Sequence, residues 1–397
     1  MTMKKSILLF ISIGILASSC EINQKEVNPT DNFVKIFNHP NESFSYYVES
    51  VYQLNDGYLL LSGLKNAEES LNEFPTTSLI RTNEIGDLMW SVELDWRAPV
   101  GNLINIDGRI GFVAMNAGDN AYFIEINTET GDVSASIALN INMPLAAEVV
   151  ANGNLVVLSY DYVSWSSVVT VYSSELTRLN SEKLPVGEDL VIPIQRHLNK
   201  SSTIYPFFIG NWQNESLSGF FVNCLYNYTL GVRFFGSDGS STGGWIYSHQ
   251  IENAVSSLIH KEDDSYAITR YFNRKNFLNP TIEVDVTSLQ NFNDSTQNPL
   301  PELVTDAKVS SMKALFGEAE YMLFASTSNS NSLVIYKYAL DNDELLKTVE
   351  VGFADKIEVT QIIQDPEDRG IIILAQLHVI GRYQRPVLIK IPAKDFE

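Results

Sequence analysis

The residue types best suited to chemistry are few in this chain and scattered. Its five histidines, at 39, 197, 249, 260 and 378, show neither H-x-x-x-H nor H-E-x-x-H spacing, so they do not compose a zinc site. His260 and His378 fall at the ends of apolar runs, where a hydrogen-bonded structural role is expected. Cys224 sits within Phe221-Val222-Asn223-Cys224-Leu225 and reads as a core thiol. No phosphate-binding glycine loop occurs. Asp341-Asn342-Asp343-Glu344 offers oxygen ligands but lacks EF-hand spacing and fits a hairpin turn better. Paired carboxylates for sugar hydrolysis would be distant in sequence, and they stay open. The expectation is therefore no catalytic residue, no cofactor and no metal.

Binding chemistry is better represented. Trp96, Arg97, Tyr160, Tyr162, Trp165, Tyr271, Arg274, Lys275, Phe277, Arg382, Tyr383 and Arg385 gather in a few irregular stretches. Aromatic faces stack on sugars, and guanidinium groups pair with carboxylates or phosphates. The named candidates for ligand contact are Trp96, Arg97, Tyr162, Trp165, Tyr271, Arg274, Arg382, Tyr383 and Arg385. The plainer alternative is that the rings pack between repeats and the arginines solvate a rim.

The elements that must position these residues are strands. Runs rich in Val, Ile, Tyr and Phe recur between Gly, Asn and Asp turns, and no long amphipathic helix is expected after residue 32. The first unit has strands at 46–54, 58–64, 77–82 and 88–94, with Asn55-Asp56-Gly57 as a hairpin turn. The second has 110–115, 122–126 and 133–139, and the third 155–160, 167–172 and 178–184. The fourth has 205–209, 219–225, 231–235 and 245–247, and the fifth 256–260, 266–271 and 281–286. The sixth has 310–316, 321–325, 332–338 and 345–351, and the seventh 358–363, 370–377 and 386–391. A repeat of roughly 50 residues with four antiparallel strands is the grammar of a β-propeller blade. The expected fold is all-β, a seven-bladed β-propeller. The seventh unit is one strand short, and residues 33–37 (FVKIF) stand alone ahead of the first. Pairing them completes the last blade and removes an exposed edge. An array of β-sandwich domains is the competing reading, but it needs linkers that do not occur.

In such blades the second-to-third loops and the blade crossings share one face. Here they include the long stretches 65–76, 160–166, 272–280 and 378–385, whereas the turns of the other face are short. Long loops on a rigid scaffold are where binding is expected.

Composition sets the outer limits. The chain has 397 residues, a net charge of −21, 45% hydrophobic residues and two cysteines. It is too apolar for a disordered chain and too poor in cysteine for a disulfide scaffold. The acid excess argues against nucleic acid, whose phosphates require a basic surface.

Residues 1–19 read as a signal peptide, with Lys4 and Lys5 ahead of the apolar stretch 7–16 and the small residues Ala17-Ser18-Ser19. That stretch is shorter than the about 20 residues a spanning helix needs. Leu16-Ala17-Ser18-Ser19-Cys20 resembles the lipobox of bacterial lipoproteins, with Ala17 standing where the usual box has Leu. The resemblance implies that Cys20 is acylated and anchors the protein to a membrane, with residues 20–32 as a flexible tether and 33–397 as one domain. Asp56-Gly57-Tyr58-Leu59-Leu60-Leu61-Ser62-Gly63, with Ser78-Leu79-Ile80-Arg81-Thr82-Asn83-Glu84-Ile85-Gly86-Asp87-Leu88-Met89-Trp90, is similar to a repeat of secreted and lipidated Bacteroidetes propellers. Asp294-Ser295-Thr296 likewise resembles the short O-glycosylation motif of that group. The implied protein is an outer-membrane lipoprotein of the cell envelope. Its expected role is a binding or scaffold module for a glycan or protein ligand. The alternative is a propeller enzyme, either a polysaccharide glycosidase or lyase or a quinoprotein-like dehydrogenase. Quinoprotein propellers carry Gly and Trp in most blades, whereas Gly86…Trp90 occurs here once.

Overall fold

A computed structural model describes residues 32–66, 72–201, 205–215, 217–247, 254–291, 298–305, 307–379 and 383–397. Cys20, Asp294 and Arg382 therefore lie outside the described residues. The chain is all-β, a succession of antiparallel meanders of the β-propeller kind.

In the first unit, Phe44–Leu54, Gly57–Asn66, Thr76–Asn83 and the start of Leu88–Ile106 pair in chain order. The long strand bends at Ala98 and Gly101, which have φ of 44° and 72°, and its second half opens the next unit. That unit continues through Arg109–Met115, Asn120–Ile126 and Val133–Asn142. The third comprises Pro144–Val149, Leu155–Asp161, Ser166–Tyr172 and Arg178–Pro185. The sixth comprises Ser310–Phe316, Ala319–Thr327, Ser332–Ala339 and Leu345–Gly352. Lys356–Gln364, Ile371–His378 and Gln384–Ile391 form the last unit, and Phe33–Ile36 is its outer strand. Phe33 stands opposite Lys390 and Ile36 opposite Val387. The lone N-terminal strand thus pairs where the sequence places it.

The middle of the chain departs from the expected rhythm. The fourth unit, Phe208–Gln213, Ser218–Tyr226, Thr229–Gly236 and Ser241–Tyr247, gains Leu289–Asn291 as a parallel outer strand. The fifth keeps three strands in its sheet: Ala254–Glu262, Ser265–Phe272 and Lys275–Glu283. The long loop expected at 272–280 is instead a two-residue turn, with Asn273 and Arg274 at φ of 48° and 61°. Pro280 conceals the first part of this strand, which the sequence places at 281–286; it is tolerated because Lys275–Glu283 is an edge strand with a register shift there. A helix, Val191–Leu198, joins the third and fourth units where none was expected. Eight residues are too few to declare a helical period, and Pro193 sits in its first turn, where no amide partner is lost.

Inner strands of successive units lie beside one another, and that of the last lies beside that of the first. Their inward edges have no ladder partner, so neighbouring side chains satisfy the amides. Leu103 N donates to Ser50 Oγ at 2.8 Å, Ile362 N to Ser310 Oγ at 3.2 Å, and Val51 N to Gln361 Oε1 at 2.7 Å. Gln361 Nε2 donates in turn to Asn102 Oδ1 at 3.0 Å, and Asn102 Nδ2 to Glu148. A polar chain thus links four inner strands.

Candidate functional site

On the face carrying the second-to-third turns, the side chains of the third unit are held by local turn chemistry. In the third unit, Asp161 Oδ1 accepts from Val163 N at 3.0 Å and Oδ2 from Ser164 Oγ at 2.6 Å, which shapes the turn after Leu155–Asp161. Burial raises the Asp161 carboxyl, but bonds from Lys183, Ser164 and the turn amides outweigh it and leave it well below the usual range. The turn ends at Trp165, which has φ of 49°. Tyr162, Val163 and Trp165 are consequently exposed at 43%, 77% and 44%.

Two further segments converge on that turn. Trp165 O accepts from Val186 N at 2.9 Å and from Gly187 N at 3.2 Å. Pro185 O accepts from Asn227 N at 2.9 Å, which draws the Asn227-Tyr228 turn of the fourth unit alongside. Gly187 has φ of 134°, and a Cβ there would lie 2.4 Å from the Tyr228 ring, so the ring rests on the bare glycine backbone. Tyr228 is 51% exposed. Glu188, Asp189 and the Asp161–Lys183 pair (2.7 Å) border this aromatic shelf.

The other sequence candidates do not join it. Arg385 is 1% exposed: its Nη1 donates to Phe44 O at 2.7 Å and its Nη2 to Glu42 O at 3.4 Å. It ties the last unit to the entry of the first, so the expectation of a ligand contact there is corrected. Trp96 is half-buried with its ring 5.1 Å from Tyr122, and Arg97 is half-buried in the same strand. Tyr271 packs against the largest core cluster. Arg274 is exposed in its tight turn and Tyr383 is 42% exposed, in different units from the shelf. Sequence reasoning finds Tyr162 and Trp165 but misses Tyr228, whose only signal is the Asn227 turn residue between two apolar runs.

Elsewhere the polar chemistry is structural. Asp343 Oδ1 accepts from Lys261 Nζ and Thr281 Oγ1, each at 2.7 Å, within the acidic hairpin. His260 Nε2 bonds Asp263 O at 2.9 Å, and His378 lies 3.1 Å from Glu358. Cys224 is buried, and burial pushes its thiol up to about 12. On the opposite face a polar cleft between the first and last units is lined by Tyr58, Glu84, Asp365, Asp368 and Lys390. Among the described residues, no group of three or more His, Cys, Asp or Glu is arranged to hold a metal, and no helix is long and apolar enough to cross a membrane.

No protein-family model matches the chain, and no curated protein matches it. Among solved structures it is similar to the β-propeller domain of the Trilobed protease from Pyrococcus furiosus, at 8% identity over 88% of this chain and 95% of that one, with a TM-score of 0.42. It is also similar to the WD40 β-propeller domain of Doa1, at 10% identity over 90% and 96%, with a TM-score of 0.45. The Dos1 propeller gives 9% identity over 90% and 95%, with a TM-score of 0.45. Likenesses this distant carry no argument about function, and the fold assignment rests on the strand pairing itself.

Proposed function

We propose that the chain is a lipid-anchored propeller of the bacterial cell envelope whose second-to-third-strand face binds a glycan. Seven sequential units, the adjacency of their inner strands and the pairing of Phe33–Ile36 with Gln384–Ile391 support a closed seven-bladed ring. Cys20 and the apolar stretch before it support the acyl anchor, which gives membrane affinity without a spanning helix.

The observation that carries the binding role is the shelf of Tyr162, Trp165 and Tyr228, three rings left exposed by two neighbouring units. Exposed rings on a rigid scaffold present apolar faces to the C–H faces of sugars, and bordering carboxylates accept hydrogen bonds from hydroxyls. Glu188 and Asp189 repel acidic groups, so the shelf favours a neutral sugar over the acidic one that the loop arginines implied. A glycan array with the full-length chain tests this. Trp165→Ala with Tyr228→Ala should weaken binding of a neutral glycan about tenfold or more while leaving the circular dichroism unchanged. Unchanged binding by the double variant, or binding of acidic glycans alone, overturns it.

A further inference from the structure

The turns at the strand ends away from the shelf are joined from unit to unit by side chains. Asn105 Nδ2 donates to the Tyr52 hydroxyl at 2.9 Å, linking the first two units beside their first-to-second turns. Arg109 Nη2 donates to Ser174 O, and Asn152 Nδ2 to Ser237 O at 2.9 Å, which carries the line through the third unit to the fourth. Lys261 Nζ meets Asp343 Oδ1 at 2.7 Å, and Gln364 Nε2 donates to Leu315 O at 2.9 Å. With the Tyr58 hydroxyl on Asp365, these bonds join the fifth, sixth, last and first units likewise. Each bonded residue lies within a few residues of a first-to-second or third-to-fourth turn. Those turns therefore share one face, the turn face, and the second-to-third loops lie at the other ends of the strands.

The first strand enters on the turn face. Phe33 stands opposite Lys390, near the end of Gln384–Ile391, and Ile36 opposite Val387, nearer its start. The Phe33 ring closes on Gly86, where a Cβ would lie 2.7 Å from it, and Lys35 Nζ lies 2.6 Å from Asp87 Oδ1. Gly86 and Asp87 belong to the third-to-fourth turn of the first unit, which Gly86 N closes on Asn83 O at 3.0 Å. Tyr162 and Trp165, by contrast, follow the far end of Leu155–Asp161, whose near end follows the Asn152-Gly153 turn. That strand puts about 20 Å between the two faces.

We propose that the turn face looks onto the bilayer and the shelf face away from it, so that the shelf takes its ligand from the aqueous side and not from headgroups of its own leaflet. This rests on the acyl anchor at Cys20 and not on the shelf binding a glycan. From Cys20 to Asn32 there are 13 residues. A coil of that length spans about 20 Å, which suffices to seat the turn face over the membrane. Seating the shelf face there would draw the same stretch out along the height of the strands, beyond its coil dimension and at a cost in chain entropy. The turn face exposes Asp56, Asp107, Asp132, Asp263, Glu318 and Glu367. Anionic headgroups repel them only within a screening length of about 8 Å, so the acid leaves a gap beneath the face without turning the molecule over.

Energy transfer from a donor dye on the full-length acylated chain to rhodamine-labelled phosphatidylethanolamine in phosphatidylcholine vesicles tests this. The dye is placed on Ala151→Cys or on Val163→Cys, exposed positions at opposite ends of the third unit. Cys224 is buried and does not compete for the label. Transfer should be about twofold or more stronger from position 151 than from 163, given the height of the strand between them. Equal transfer, or stronger transfer from 163, overturns the proposal, as does a chain that fails to float with the vesicles. Glycan plays no part in the readout, so failure of the shelf reading leaves the result unchanged. Should either variant fail to fold, Glu318→Cys on the turn face and Tyr383→Cys on the shelf face carry the same measurement, with the same outcomes expected.

Discussion

The Nζ of Lys390 lies 2.7 Å from Oδ2 of Asp365, and both side chains are only 5% exposed. Lys390 belongs to the third strand of the last unit, and Asp365 follows its inner strand. Tyr58 of the first unit reaches the same carboxylate, its hydroxyl 3.4 Å away. The pair therefore locks the seam at which the two ends of the chain meet. Burial raises the Asp365 carboxyl, but bonds from Lys390, Gln53 and the Glu367 amide outweigh it and hold it below the usual range.

Lys390 Nζ also lies 2.6 Å from Oδ2 of the more exposed Asp368, so removing Asp365 leaves a buried ammonium with only that one carboxylate. Asp365→Asn should cost on the order of 3 kcal/mol of stability, read as a shift of the denaturant midpoint at constant slope. Because the folded carboxyl is the more acidic one, the pair's contribution is complete above the unfolded value near about 4 and is lost as pH falls through the folded one. The parent should therefore lose stability below pH ~4 more steeply than Asp365→Asn, and parallel curves would remove the lock.

Glu148 has the opposite sign. Burial pushes its carboxyl up to about 7, offset only in part by the bonds from Asn102 and the Val149 amide. Between the ordinary 4.5 and 7 the folded chain keeps a proton that the unfolded chain has released, so stability falls as pH rises across that window and levels above it. Glu148→Gln keeps the acceptor for Asn102 and removes the titration. Its melting temperature should vary less between pH 4.5 and 7 than that of the parent, and it should be at least as stable at pH 8. An unaltered pH profile in the variant would contradict the assignment.

Deleting residues 33–37 should expose the edge of Gln384–Ile391. Phe33 is buried against Gly86, and its ring lies 6.1 Å from that of Tyr58, so the strand joins the last unit to the first by packing as well as by pairing. Hydrogen exchange at the amides of 387–390 should quicken, and the unpaired edge should promote association visible in size exclusion. Protection equal to that of the intact chain would show the strand to be dispensable.

Cys20→Ala should move the protein from the membrane fraction to the soluble one, since acylation is the proposed source of membrane affinity. Retention in the membrane after that substitution, checked by fractionation of cells expressing the full-length chain, would refute the anchor.

Much of the fold is legible in the sequence because its signals are local. Asp107-Gly108 adopts φ of 50° and 83° as its residue types require, and Gly153 is at 82°. Alternating and continuous apolar runs between such turns fix strand positions within a few residues. Where an edge strand carries Pro280, or a helix has only eight residues, the local signal is too weak to start the third strand of the fifth unit at Lys275 rather than 281, or to reveal Val191–Leu198.

The candidate site is legible only in part. Tyr162 and Trp165 are exposed because their turn is closed by its own Asp161, a determinant within a few residues. Arg385 is spent on carbonyls more than three hundred residues away, a relation with no counterpart in its neighbours.

By itself the sequence determined the strand rhythm, the turns and the pairing of the N-terminal strand, and it carries the apolar stretch 7–16 ahead of Cys20. Each depends on backbone conformation or on hydrophobic patterning over a short span. Only the tertiary structure decided which arginine is buried, that Tyr228 settles on Gly187 beside Trp165, and that Lys200 meets Glu49 of the first unit. These depend on the relative placement of units far apart in the chain, which packing fixes and no local preference encodes.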